Sequence, residues 1–284
     1  METAVEFAAQ NGFCAIGAQH AVIKRAGGII ANTKPNPQRL FAAEGLWFFW
    51  RLNECKTPVK ALIICPDFIR TPEALKALAE ITAATPACER FTVSQRTFQK
   101  ISERDAPDGL LALAALPQRN LAGFKPGDKG IILVLDGIEI PGNVGTMLRM
   151  ADGAGLDGVF ICNKRARITH PKLIKGSMGA VLTVPFFEFD SVAACREWLT
   201  ENNFCVYLAD TRAARSYYDE PFGKKTALVM GSERYGISRE WYDGDYSALS
   251  IPMFGKCDSL NVGVAATVLC YEASVKNKLA AKRE

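Results

Sequence analysis

"GIILVLDGIEIPGNVGTMLRMADGAG", residues 130–155, is where the fold can be read. Residues 130–137 are an almost unbroken apolar run that stops at Asp136-Gly137, the length and composition of a buried strand. A loop, "IEIPGN", leads into "VGTMLRMADGAG", whose apolar positions 144, 147, 148 and 151 follow helical spacing. The pattern then repeats. Strands are expected at 157–162, 204–210, 225–231 and 246–253, and helices at 190–202 and 261–278. On the last helix Val262, Ala265, Ala266, Leu269, Cys270 and Ala273 share one face. Strands without polar alternation, separated by helices, predict an α/β domain with a mainly parallel sheet covered on both sides.

Upstream, "PQRNLAGFKPGDKG" (117–130) carries two prolines, three glycines and few bulky apolar residues, the composition of a linker. Before it lies a smaller alternating unit. Residues 36–53 are expected to be helical, with Asn36 as cap and Pro37 in the first turn. Strands follow at 60–65, 90–93 and 108–116, with helices at 71–84 behind Thr71 and at 94–102 behind Ser94. The expected division is therefore 1–116, a linker at 117–129, and 130–284.

The 284 residues are 49% apolar and 23% charged, the composition of a globular chain able to bury two cores. No window reaches the roughly 18–20 apolar residues of a membrane span. "METAVEFAAQ" lacks the basic-then-apolar pattern of a secretory leader, so a cytoplasmic location is expected. Nine cysteines occur with no C-x-x-C pair, and only His20 and His170 could join them. That argues against a disulfide framework and against a metal site. A net charge of +4 from 34 basic and 30 acidic residues identifies no nucleic-acid binder by itself. Its distribution is more informative. Residues 164–175, "KRARITHPKLIK", contain Arg165, Arg167 and Lys172 and no acid, and Lys24, Arg25, Lys34, Arg39 and Arg51 form a second basic group. Such clusters attract phosphates, although each also reads as an ordinary solvated face. Lys24, Arg25, Arg39, Arg165, Arg167 and Lys172 are the candidate RNA contacts.

Three strands end in Gly- and polar-rich loops: "GIEIPGNVGTMLR" after 130–136, "GSERYG" after 225–230 and "FGKCDSLN" after 246–253. In open α/β sheets ligands bind outside the carboxyl ends of strands, so three such loops point to one shared site. The dinucleotide, phosphate-loop and nucleophile-elbow patterns G-x-G-x-x-G, G-x-x-x-x-G-K-[ST] and G-x-S-x-G are all missing. What the loops do offer is Asn143, Arg149, Glu233, Ser259 and Asn261: one cation, one carboxylate and neutral hydrogen-bonding groups, with no histidine.

In order, N-x-G-x-x-x-R at Asn143, Gly145 and Arg149, G-x-E-x-x-G at Gly231, Glu233 and Gly236, and I-P-M…S-L-N-V from Ile251 to Val262 resemble the three motifs of the SpoU (TrmH) family. That family comprises S-adenosylmethionine-dependent RNA 2′-O-ribose methyltransferases of the SPOUT superfamily. The resemblance covers residues 130–278. "NPQRLFAAEG" (36–45) resembles, more loosely, the small ribosomal-protein-like RNA-binding domain that many members carry. The resemblance implies a C-terminal trefoil knot, S-adenosylmethionine read by main-chain groups at Gly231, Ile251 and Leu260, and a homodimer. It implies a catalytic set of Arg149, Asn143, Glu233, Ser259 and Asn261, with Arg149 central. Small departures occur: "IEIPGN" lacks the Asp common before Pro-Gly, Cys257-Asp258 stands where a Glu usually precedes the serine, and Gly263 follows Val262.

Each residue also has a plainer reading. Asn143 could cap its helix, Arg149 could be a surface residue, Glu233 could accept backbone N–H bonds, and Ser259 and Asn261 could start the last helix. Cys257 as a methyl-accepting nucleophile is unnecessary for ribose chemistry. The functional expectation is methyl transfer to a ribose 2′-hydroxyl of RNA, ribosomal RNA ahead of transfer RNA, without a metal. The alternatives are a non-catalytic RNA-binding or assembly factor on the same fold, and methylation of another position or substrate.

Overall fold

The computed structural model describes residues 3–33 and 35–281. It divides into two compact units, residues 1–118 with 169–174, and residues 119–168 with 175–284.

The first unit contains strands β1 (Cys14–Ala15), β2 (Leu40–Glu44), β3 (Val59–Ile64), β4 (Glu89–Thr92) and β5 (Leu110–Ala115), in the order β1-β4-β3-β5-β2. β1, β4 and β3 are parallel, and β5 runs antiparallel to both β3 and β2. Helices α1 (Ala4–Gln10), α2 (Ala21–Ile30), α3 (Leu46–Glu54), α4 (Pro72–Ala84) and α5 (Gln95–Gln99) complete it. Thr71 and Ser94 cap α4 and α5 as expected, accepting from Ala74 N and Thr97 N. The single helix expected over 36–53 is instead a loop, then β2, then α3. Asn36 closes the loop through both its amide groups, with Nδ2 donating to Leu40 O at 2.6 Å and Oδ1 accepting from Leu40 N at 2.9 Å. Arg39 at φ 50° and Gly45 at φ 96° then interrupt any continuous helix.

The second unit is built on six parallel strands: β6 (Ile131–Asp136), β7 (Gly158–Cys162), β8 (Phe186–Glu188), β9 (Cys205–Ala209), β10 (Thr226–Gly231) and β11 (Ser247–Leu249). Their order is β11-β9-β10-β6-β7-β8. Its helices are α6 (Pro141–Ala154), α8 (Ala180–Thr183), α9 (Val192–Glu201) and α10 (Val262–Ala281), while α7 (Pro171–Ser177) begins in the segment grouped with the first unit. Alternate residues of β6 serve opposite faces. Ile132 and Val134 join Phe160, Val206, Val229 and Trp241 in a core covered by Val192, Cys195 and Leu199 of α9. On the sheet's other face α6 and α10 pack against each other, and α10 also reaches β10 and β6. Val262, Ala266, Leu269, Cys270 and Ala273 are buried as their spacing predicts, while Ala265 is half-buried.

α10 is also pinned by polar groups. Ser274 Oγ donates to Ala154 O at 2.6 Å, and Asn277 accepts from Gly223 N at 2.6 Å while donating to Lys129 O at 2.9 Å. Ser274 and Asn277 are buried and hydrogen-bonded, so they fix the helix's register where an apolar residue would allow sliding.

Residues 119–129, expected to be a linker, are docked on the second unit. Arg119 donates to the carbonyls of Leu182 and Thr183 at 2.8 and 2.9 Å, and Gly127 N donates to Asp157 Oδ1 at 2.7 Å. Phe124 lies 4.9 Å from the Phe187 ring and 5.9 Å from Trp198. Composition hid this, because a single aromatic anchors a segment otherwise made of turn residues. Among the described residues no helix is long and apolar enough to cross a membrane.

Phe124→Ala should therefore destabilise the second unit by about 2–4 kcal/mol, read as a fall in the urea midpoint followed by tryptophan fluorescence. An unchanged midpoint would mean that the segment is the free linker its composition indicates.

Candidate active site

The C-terminal ends of β9, β10 and β11 open into one cleft of about 770 Å³. Its apolar wall is formed by Met230, Ile237, Leu249, Ile251, Leu260 and Leu269. Its polar wall is formed by Asp210, Arg212, Glu233, Ser259 and Asn261. The volume and the mixture of an apolar wall with a few convergent polar groups are those of a site for an organic ligand.

The loop after β10 is a closed turn. Ser232 and Gly236 exchange both main-chain hydrogen bonds at 2.9 Å, and Tyr235 N donates to Ser232 Oγ at 3.0 Å. Gly236 sits at φ 71°, which favours glycine. Gly231 is needed for a different reason. A Cβ there would lie 2.1 Å from Gly236 C and Ile237 N, both backbone atoms that cannot swing aside. From below, the buried Asp136 carboxylate at the end of β6 accepts from Ser238 N and Asn163 Nδ2, both at 2.7 Å. The turn carrying Glu233 is thus fixed at its base.

Asn143 stands in the first turn of α6, which starts at Pro141 behind Ile140, so it is not the helix cap. Its Nδ2 donates to Glu233 Oε1, and its Oδ1 accepts from Asn261 Nδ2 at 3.4 Å. Asn261 Oδ1 in turn accepts from Gly263 N at 2.9 Å, so Asn261 caps α10 while holding Asn143. Three loops from distant parts of the chain therefore meet at one amide. Ser259 Oγ donates to Asp258 Oδ1 at 3.2 Å and stays exposed beside them. The main-chain groups of Ile251 and Leu260 make no hydrogen bond among the described residues, although both residues line the cleft.

Arg149 is not brought into this network. It lies exposed on α6, does not line the cleft, and its side chain makes no hydrogen bond or ion pair among the described residues. Cys257 is exposed on the β11–α10 loop and does not line the cleft. Lys24 and Arg25 are exposed on α2, where Arg25 donates to Gln38 Oε1. Arg165, Arg167 and Lys172 are also exposed, Arg39 is half-buried, and Lys34 lies outside the described residues.

The sequence reading missed the loop after β9. Asp210 Oδ2 accepts from the Tyr242 hydroxyl at 2.7 Å and Oδ1 from Arg212 N at 2.9 Å. Burial pushes the Asp210 carboxyl up, but these N–H and O–H donors outweigh it and hold the carboxyl below its ordinary range. The same burial and hydrogen bond push the Tyr242 phenol up to about 12. The signal available was "YLADTR", a strand ending in a polar cluster like the three noticed. No group of three or more His, Cys, Asp and Glu side chains among the described residues is placed to hold a metal.

Residues 130–271 match the model of the "SpoU rRNA Methylase family". Among curated proteins, the "23S rRNA (guanosine(2553)-2'-O)-methyltransferase RlmP" of Bacillus subtilis is 28% identical over 64% of this chain and 71% of its own. Staphylococcal proteins described as "Putative TrmH family tRNA/rRNA methyltransferase" are 37% identical over 50% of this chain, which spans only 57% of their length. Among solved structures, an "RNA 2'-O ribose methyltransferase" matches with TM-score 0.78 and 28% identity, over 94% of this chain and 99% of that one. An "AdoMet bound rRNA methyltransferase" from Sinorhizobium meliloti has the same fold, with TM-score 0.81 and 21% identity over 91% and 96% of the two chains. With half of its residues matching the family model, this chain belongs to the SpoU rRNA methylase family.

Proposed function

We propose that this protein transfers a methyl group from S-adenosylmethionine to a ribose 2′-hydroxyl of RNA, ribosomal RNA ahead of transfer RNA. The observation that carries the reading is the meeting of Asn143, Glu233 and Asn261 at the mouth of the cleft. The relative from Bacillus subtilis, whose name specifies a 2′-O position on 23S rRNA, supports this choice of atom and RNA.

The cleft fits the donor. Its apolar wall would take the adenine and the thioether chain, and the unpaired main-chain groups of Ile251 and Leu260, with Gly231, would hydrogen-bond the adenine edge. When bound, the sulfonium supplies an activated methyl group. Every other requirement falls on the chain itself. A ribose hydroxyl is a weak nucleophile whose proton must leave as the methyl arrives, and a positioned acceptor contributes about 10²–10⁴-fold. Holding the hydroxyl in line contributes several kcal/mol more. Glu233, oriented by Asn143, is the carboxylate at the cleft mouth. Ser259 and Asn261 hold the ribose from the opposite loop. Arg149 carries a guanidinium, which is a poor base. Its role is to grip the phosphate beside the target and to stabilise the developing alkoxide. The exposed cations Lys24, Arg25, Arg165, Arg167 and Lys172, with Arg39, hold RNA away from the cleft, and residues 1–116 act as the substrate-binding domain.

The reading extends to chain path and assembly. β11 lies at the sheet edge, whereas α10 packs at the centre against α6, β10 and β6, so the chain doubles back across the strand ends. This crossing supports the trefoil knot that the motifs imply. The exposed Val264, Tyr271 and Val275 along α10 support a homodimer. The reaction takes place in the cytoplasm.

Incubation with methyl-labelled donor and total RNA should label RNA, and no incorporation into either ribosomal or transfer RNA would overturn the proposal. Arg149→Ala should lower turnover at least 100-fold while donor binding by calorimetry stays within about twofold. Gly231→Ala should do the reverse, removing donor binding itself, because its Cβ would meet backbone.

A further inference from the structure

Tyr235 is 71% exposed, yet it is held on the fixed Ser232–Gly236 turn and lines the same cleft as Glu233. A bulky ring in solvent on a mobile loop would say little. Its main chain is fixed by the N–H bond to Ser232 Oγ, so the ring is presented from a set position at the mouth of the cleft. The Arg234 guanidinium lies 5.1 Å from the ring centroid and makes no ion pair among the described residues. An exposed aromatic face paired with an uncommitted cation matches an RNA nucleotide: the base stacks on the ring and the phosphate meets the guanidinium. Residues two apart are separated by at most about 7 Å, so a ribose at Glu233 places its own base within reach of Tyr235. A second copy of the chain is the poorer match. The exposed apolar side chains it would cover, Val264, Tyr271 and Val275, lie along α10, whereas Tyr235 follows the charged pair Glu233-Arg234 on the β10 loop.

Resting on the function proposed above, we propose that Tyr235, with Arg234 beside it, is the stacking platform for the base of the nucleotide whose ribose is methylated. Both are substrate-binding residues and take no part in moving the proton.

The test uses the protein, methyl-labelled donor and unmethylated transcripts of ribosomal and transfer RNAs. Tyr235→Ala should raise KM for RNA about tenfold or more, with kcat and donor affinity within twofold. Tyr235→Trp should restore KM, because any aromatic face will stack. Arg234→Ala should lower the slope of log KM against log salt by about one. An unchanged KM in Tyr235→Ala, or a loss of donor binding or of self-association together with the KM change, overturns the platform. If the wild-type protein labels no transcript, the proposed function falls and the platform with it. If it labels one and Tyr235→Ala is indistinguishable from it, only the platform falls.

Discussion

One side-chain amide holds the site together. Asn143 donates to Glu233 and accepts from Asn261, joining the loops that follow β6, β10 and β11. An amide is suited to this because it offers a donor and an acceptor at once, so the two partners fix its orientation. An aspartate there would oppose Glu233, and a leucine would take a partner from Glu233 Oε1 and from Asn261 Nδ2. Asn143 occupies the first turn of α6, whose buried residues Val144, Met147, Leu148 and Ala151 seat the helix on the sheet. The junction is therefore carried by a rigid element.

Rigidity elsewhere serves the same end. Asp136 fixes the base of the β10 loop through Ser238, and the packing of Gly231 on Gly236–Ile237 leaves that turn one arrangement. Asn277 and Ser274 set the register of α10, and with it the position of Asn261 at the helix start. Cations left without an ion pair are then conspicuous. Among the described residues these include Arg149 and Arg234, the latter lying against the Tyr235 ring. A frame that is tied internally and bare where a polyanion would lie is organised for a large substrate.

Much of this was legible in the sequence for specific reasons. β6, β7, β9 and β10 are buried on both faces, so each reads as an apolar run, and α10 declares itself by spacing. The three motifs were visible because glycines and polar residues at fixed spacing follow apolar strands. What escaped notice was set by tertiary context. The β2 strand lay inside a stretch whose proline and amphipathic pattern mimic a helix, and only the Asn36 loop and Gly45 reveal the break. Phe124 could not be distinguished from a linker residue, because its partners Phe160, Phe187 and Trp198 come from later in the chain. The Asp210–Tyr242 pair joins two segments that no spacing connects.

The central claim is that the cleft presents a ribose hydroxyl, and no base atom, to the methyl donor. Alkaline hydrolysis tests it most directly, because a 2′-O-methyl group removes the hydroxyl that attacks the neighbouring phosphodiester. Unmethylated ribosomal RNA treated with the protein and donor would be cleaved with alkali and mapped at nucleotide resolution. The account predicts a new alkali-resistant position that depends on the donor and is lost with Asn143→Ala. Methyl incorporation with every phosphodiester still alkali-sensitive would place the methyl on a base and contradict it.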